Sequence, residues 1–451
     1  VLSPRDLFVK SMKNRVKTGA QPHKWTAECH IERLEDGLTT CILPHRGSRL
    51  VATALCYGAG SLQENAGEEG GAHFLEHMMF KGSSRYPCGE IDRLTQAFGG
   101  SNNAFTSHDC TLYYFSFASD RWKVALEIEA DRMANLTLDP EAVDSERKVI
   151  FEELARAEAD PWDVLDGEVR SELYDGHPYG RKILGSRQSL EGLGSDRLRV
   201  LHERLYSPGN AVLALVGDVD LKALDEIRSR FSQTTRTPDG DSSIDPKLKI
   251  PKWPSGLRRI ERHMGEVARF MAALPGPSAQ SGDFAALRLL LAILAGGRCS
   301  RLYRNLVDDS HLCSTVMADL GESVAPGAVV FALEAVPGIA PEAIEDSFWK
   351  ILREARETGI TEVEIERAKR MFLADWVFGF ETVQSRAAAL AQALCLFDQG
   401  YLERQRTQVL ATTLKDLSNV AEKYLQPTES GIAGWSLPVG ENYVSSGSRD
   451  C

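Results

Sequence analysis

Apolar and polar positions follow two different periods along this chain, and each period predicts its own kind of element. CHIERLEDGLTTCILP (29–44) sets two β-rich runs around an Asp-Gly turn, and SRLVATALCYGAGS (48–61) follows as a buried strand. SNNAFTSHDCTLYYFSF (101–117) alternates and is rich in Thr, Tyr and Phe, which predicts a strand pair. Helical spacing takes over at 88–98, which ends at Gly99-Gly100, and again at 122–136 through Trp122, Ala125, Leu126 and Met133. Asp139-Pro140 caps a further helix over 140–159, and NAVLALVGDVD (210–220) reads as a strand ending in a turn.

Residues 233–256 break the pattern with four prolines among Ser, Asp and Gly, the composition of a linker. The cycle then restarts: a strand at 267–274, helices at 283–295 and 301–307, the strand GAVVFALEAV (327–336), and long helices at 340–357 and 361–398. Order and spacing suggest a duplicated α+β unit. The expected organisation is an N-terminal extension 1–24, a first domain 25–232, the linker 233–256 and a second homologous domain 257–451. Its tail, 437–451, is expected to be disordered.

Composition narrows the partners. The 451 residues carry a formal net charge of −12, which argues against nucleic acid or an anionic membrane surface. No apolar run reaches the 18 or more residues of a membrane span. Nine cysteines, odd in number and without a C-x-x-C pair, read as thiols. They favour a reducing compartment, bacterial cytoplasm or mitochondrial matrix, with the periplasm left open. Residues 1–24 hold six basic side chains against Asp6; a trimmed targeting segment and an amphipathic surface helix both explain them.

One stretch resists a purely structural reading. GGAHFLEHMMFKG (70–82) sets His73, Glu76 and His77 inside a run of Phe, Leu and Met, and burying three such groups is costly unless something pairs with them. On a helix, His73 and His77 at i and i+4 share a face and can converge on one ion, with Glu76 beside them near an attacking water. This H-x-x-E-H order reverses the H-E-x-x-H zinc helix. A catalytic zinc wants a third protein ligand, and ERKVIFEELARAEA (146–159) offers carboxylates. Glu152 stands between Lys148 and Arg156 at i±4, the pattern of a solvated residue. Glu153 shares its face with Glu146, Val149, Ile150 and Ala157, an apolar stripe where a lone carboxylate needs a metal.

HFLEHMMFKG, with the Glu of ERKVIFEEL 76 positions after His77, resembles the pitrilysin/insulinase-type zinc peptidases, the M16 family. Within it, the chain looks most like the mitochondrial processing peptidase β subunit and its bacterial relatives. The resemblance continues through SNNAFTSHDCTLYYF, GHPYGRKILGS (176–186), YSPGNAVLALVGDVD and AGGRCSRLY, most of the chain. It implies an α+β fold of two homologous α/β-roll domains, each an antiparallel-rich sheet packed with helices, forming a clamshell. It implies one Zn2+ per chain held by His73, His77 and Glu153, and Glu76 as the catalytic base that passes the water's proton to the departing amine. It matches Glu146 to a second glutamate that supports catalysis, and Asn103 and Ala104 to the edge strand that pairs with peptide substrate. His108 beside Asp109 is expected on the polar face of a strand, and His177 in a loop.

The pattern breaks once. Single-chain active relatives carry an Arg, and a Tyr seven residues later, shortly after the glycine turn of the second domain. Here SRLYRNLVDDSHLCS places Val307 and Ser314 at those positions. The resemblance therefore implies a metalloendopeptidase subunit acting on unfolded peptides beside a homologous partner chain that supplies Arg and Tyr, or as a homodimer. The rival readings are a non-catalytic core subunit of a larger complex and a clamshell that binds peptides without turnover.

Overall fold

The computed structural model describes residues 28–232, 250–427 and 429–439. The expected extension 1–24, and most of the linker and of the tail, lie outside the described residues. In the first half, β1 (His30–Arg33), β2 (Thr39–Pro44) and β3 (Leu50–Tyr57) lead to α1 (Gly71–Met78) and α2 (Glu90–Ala97). A hairpin of β4 (Ser101–Thr106) and β5 (Thr111–Ala118) follows. Then come α3 (Lys123–Asn135), α4 (Pro140–Ala159), α5 (Pro161–Tyr174), α6 (Ser195–Leu205), β6 (Ala211–Gly217) and α7 (Ala223–Phe231).

The second half repeats this series with β7 (Gly256–His263), β8 (Arg269–Pro275), α8 (Phe284–Ala295), β9 (Cys313–Leu320) and β10 (Ala328–Ala335). It continues with α9 (Pro341–Glu357), α10 (Glu362–Gly379), α11 (Val383–Leu396), α12 (Tyr401–Ala411), α13 (Leu414–Tyr424) and β11 (Ser430–Leu437).

The sheets make the duplication explicit. Their strand orders are β1-β2-β6-β3-β5-β4 and β7-β11-β8-β10-β9. Remove β1 and the two coincide, down to one parallel pair in each sheet, β2 with β6 and β7 with β11, among otherwise antiparallel neighbours. β4 and β9 are the matching edges.

The inner strands of each sheet are buried on both faces. One face packs on helices of its own half: Leu55, Tyr113 and Leu213 against Phe74 and Leu75 of α1, and Phe270, Leu274 and Phe331 against Leu287 and Leu290 of α8. The other face is covered by a helix from the opposite half. Ala387, Leu390 and Ala391 of α11 lie on Ala52, Ala54 and Ala214, while Leu165 and Val169 of α5 lie on Met271, Ala273 and Ile432. This exchange explains why AVLALVG of β6 is apolar at every position rather than alternating. It also explains Gly434 in β11, where a Cβ would stand 2.6 Å from the Val169 side chain.

Three elements differ from the periodicity. The expected helix 361–398 is two helices: α10 ends at Gly379, and the Thr382 hydroxyl starts α11 by accepting from Ser385 N at 3.0 Å. In the sequence, Gly379 and this cap are what mark the break. The break lets α11 leave its own half for the first sheet. The 301–307 helix is a short turn, 301–303, that widens into π geometry over Arg304–Asp309. β7 begins where the linker was expected to end; its GLRRIERH is mostly exposed and charged, so it carries almost no strand signal.

Candidate metal centre

α1 starts abruptly. Gly70 adopts φ 89°, a left-handed conformation that favours glycine. The carboxylate of Glu64 accepts from Gly70 N (3.2 Å) and Ala72 N (2.9 Å), so a buried acid caps the helix N-terminus. Burial pushes the Glu64 carboxyl up to about 8, against the pull of those two amides. Phe74, Leu75 and Met78 fasten one face of α1 to the core, and His73, Glu76 and His77 occupy the other, half-buried.

α4 approaches that polar face. Glu153 Oε2 lies 3.7 Å from His73 Nε2 and 3.5 Å from His77 Nε2. Among the described residues, His73, His77 and Glu153 form a group whose donor atoms all lie within 4.8 Å of one another. Those separations are too long for good hydrogen bonds. They are close to the ~3.3 Å that separates two donors around a tetrahedral zinc with ligands at about 2.0–2.1 Å. Burial, and then the neighbouring His77, push the His73 imidazole down to about 4, which keeps it neutral with a lone pair to offer. The donor set therefore fits zinc.

Glu146, one side chain deeper on α4, accepts from His77 Nδ1 at 2.8 Å and from Lys81 Nζ at 2.7 Å. A proton on Nδ1 leaves Nε2 free for a metal, the usual carboxylate–histidine support. Burial alone would lower His77; the Glu146 hydrogen bond and the charges of Glu153, Glu146 and Glu76 outweigh it and raise it. Burial would likewise raise Glu146, but His77 and Lys81 hold it below the ordinary carboxylate range. Glu76 points along the same face, and burial raises its carboxyl while the Thr106 hydroxyl, 2.5 Å from Oε2, pulls the other way.

The residues singled out from the sequence therefore sort cleanly. His73, Glu76, His77, Glu146 and Glu153 converge, and Asn103 and Ala104 lie on β4, an edge strand beside α1. The stripe used to pick Glu153 is less apolar than expected: Ile150 is buried, but Ala157 is only half-buried and Val149 is 44% exposed. Glu153 faces the histidines from a half-buried position, not from a sealed core. His108 is not on a strand; it sits in the β4–β5 turn with Nε2 3.3 Å from Arg181 O. His177 caps the short turn 178–180, its Nδ1 accepting from Tyr179 N. Val307 packs partly buried against the second core, and Ser314 is exposed with its hydroxyl on Glu334. Arg301, one of the two arginines just before Val307, is tied to Glu364.

Glu64, Lys81, Thr106 and Arg132 were missed. Lys81 had a signal, four residues after His77 on the continuing turn. Arg132 had none: it is fully buried, paired with Glu129 at 2.7 Å, with its guanidinium 4.3 Å from the Tyr113 ring centroid and 5.2 Å from that of Phe80.

Comparison with known proteins agrees with this geometry. Residues 41–187 match the family "Insulinase (Peptidase family M16)", and residues 193–372 match "Peptidase M16 inactive domain". The chain belongs to the M16 family of zinc peptidases. It is 28% identical over 402 residues to the zinc protease PqqE of Helicobacter pylori, covering 88% of this chain and 90% of that protein. It is 29% identical over 376 residues to the uncharacterized zinc protease Rv2782c of Mycobacterium tuberculosis, covering 82% and 84%. The crystal structure of a protease from Helicobacter pylori superposes with a TM-score of 0.85 at 25% identity, over 91% of this chain and 99% of that one. Among the described residues, no helix is long and apolar enough to cross a membrane.

Proposed function

We propose that this chain is a zinc-dependent metalloendopeptidase subunit that cleaves extended, unfolded peptides. His73, His77 and Glu153 hold one zinc, Glu76 is the catalytic base, and Glu146 fixes the tautomer of His77. Zinc at this site supplies Lewis acidity, which lowers the pKa of water and polarises a carbonyl. Glu76 takes the proton of the attacking water at its carboxylate and delivers it to the departing amine. Asn103 and Ala104 lie on a free edge, where an extended peptide adds as a further strand and is read through its backbone more than its side chains.

The observation that carries this reading is the convergence of Nε2 of both histidines on one oxygen of Glu153, from a helix more than 60 residues away, with Glu76 alongside. A homologous partner chain is part of the proposal. Val307 and Ser314 offer neither a cation nor a phenol, and loss of such a donor costs roughly 100- to 1,000-fold in acyl-transfer enzymes.

The deciding experiment compares wild type with Glu76→Gln for zinc by elemental analysis and for cleavage of unfolded peptides. We expect one zinc per chain in both and a loss of about 100- to 10,000-fold in turnover for the variant. Wild-type protein that binds zinc yet leaves peptides intact, with and without a co-purifying homologue, would favour a non-catalytic subunit.

A further inference from the structure

Thr106 ends β4, the edge strand, and its hydroxyl oxygen lies 2.5 Å from Glu76 Oε2. Across the hairpin, Thr111 Oγ1 is 3.3 Å away. That second hydroxyl is committed: it donates to Ala59 O at 2.6 Å and is fully buried. A threonine carries one hydroxyl proton. Thr111 has spent its own on Ala59, so the proton between Thr106 and the carboxylate is the one Thr106 donates. A hydroxyl donating to a carboxylate makes a charge-assisted hydrogen bond, stronger than one between neutral groups.

The placement matters as much as the bond. Asn102, Ala104 and Thr106 share the half-buried face of β4, while Ser101, Asn103 and Phe105 are exposed. Glu76 is a flexible side chain on an eight-residue helix whose cap at Glu64 fixes its start but not its side chains. Without a donor, its carboxylate is free to take several staggered rotamers. With one, it is held to the strand beside it.

We propose that Thr106 is a positioning residue that ties the peptide-receiving strand to the proton-accepting carboxylate, so that Glu76 keeps a fixed offset from any backbone laid along β4. This rests on the peptidase reading for its consequence, but not for its geometry. Thr106 touches neither the metal donors nor the scissile bond; it acts through Glu76, and alignment of this kind is worth far more in turnover than in binding.

The test uses the full zinc-loaded chain, with its homologous partner if one co-purifies, as wild type, Thr106→Val and Thr106→Ser. Valine keeps the shape and removes the donor; serine keeps the donor. For a fluorogenic unstructured peptide, we expect kcat to fall roughly 10- to 100-fold in Thr106→Val, with KM and zinc content near wild type. Thr106→Ser should recover turnover to within about threefold, and adding Thr106→Val to Glu76→Gln should cost nothing more. A crystal structure of zinc-loaded Thr106→Val should show the Glu76 carboxylate displaced or in several conformers. Wild-type kcat in the valine variant, a change confined to KM, or a Glu76 that stays in place would each overturn the proposal. If wild type cleaves nothing, the peptidase reading fails, and the position of Glu76 in the valine variant still decides the role of Thr106.

Discussion

α1 and α8 occupy the same place in the two repeats, one between β3 and β4 and the other between β8 and β9 along the chain, yet they are built from opposite chemistry. α8 is FAALRLLLAILA, with Leu287, Leu290, Ile293 and Leu294 fully buried. α1 is GAHFLEHM, with two histidines and a glutamate half-buried on one side. The pattern extends to the partner helix: Glu146 of α4 has as its counterpart Ala368 of α10, the same number of residues from the helix start and fully buried. One scaffold thus exists in an apolar form and a form with a polar, titratable cluster. The apolar half shows that the fold does not require the polar cluster, so the cluster is there for another purpose.

The helix starts differ in the same sense. Glu64 caps α1 from a buried position, while Asp283 at the start of α8 pairs with Lys423 (2.6 Å) and Tyr424 (2.8 Å) near solvent. Burial raises Glu64 to about 8; the Lys423 hydrogen bond lowers Asp283. The two acids therefore respond to pH with opposite sign.

The comparison can be tested at several points. The largest effect is expected from making the first half resemble the second, His73→Leu with His77→Leu. Elemental analysis should fall from one zinc per chain to none. Thermal unfolding of the zinc-free variant should show a gain of about 1–3 kcal/mol over zinc-free wild type, because buried polar groups are gone. A less stable variant would mean that the histidines serve the core.

The next concerns Glu64. Its folded-state pKa lies above the ordinary 4.5, so its contribution to stability is fully present below about pH 4.5 and is lost as pH rises through about 8. Glu64→Gln should flatten that decline by on the order of 2 kcal/mol in denaturant titrations across this range. The Asp283 pair, partly exposed, should contribute little, and only above the ordinary carboxylate range. An unchanged pH profile in Glu64→Gln would remove the contrast between the two helix starts.

The smallest is Lys81→Met. Without its ammonium, Glu146 loses one of the two groups that hold it ionised and in place beside His77 Nδ1, and zinc affinity measured against a chelator should fall about tenfold. No change would show that Glu146 supports His77 unaided.

Much of this was legible in the chain. H-x-x-E-H at helical spacing marks a shared face wherever that helix lies, and the strand pair 101–117 has a period that admits one reading. The two halves were visible as a repeated order of elements. Less was legible where signals were weak or crossed. β7 is charged and pairs, among the described residues, with β11 as its one strand neighbour, and the break before α11 is marked only by Gly379 and the Thr382 cap.

Local patterning, then, determined the elements and which side chains each one presents, because helix and strand periods are set by the backbone alone. The tertiary structure decided what those side chains meet. The approach of Glu153 to both histidines, the His77–Glu146–Lys81 line, the Thr106 donor on Glu76 and the exchange of α5 and α11 between the sheets all depend on contacts between residues far apart in sequence. Their distances are fixed only when two-sided burial of both sheets locks the helices in place.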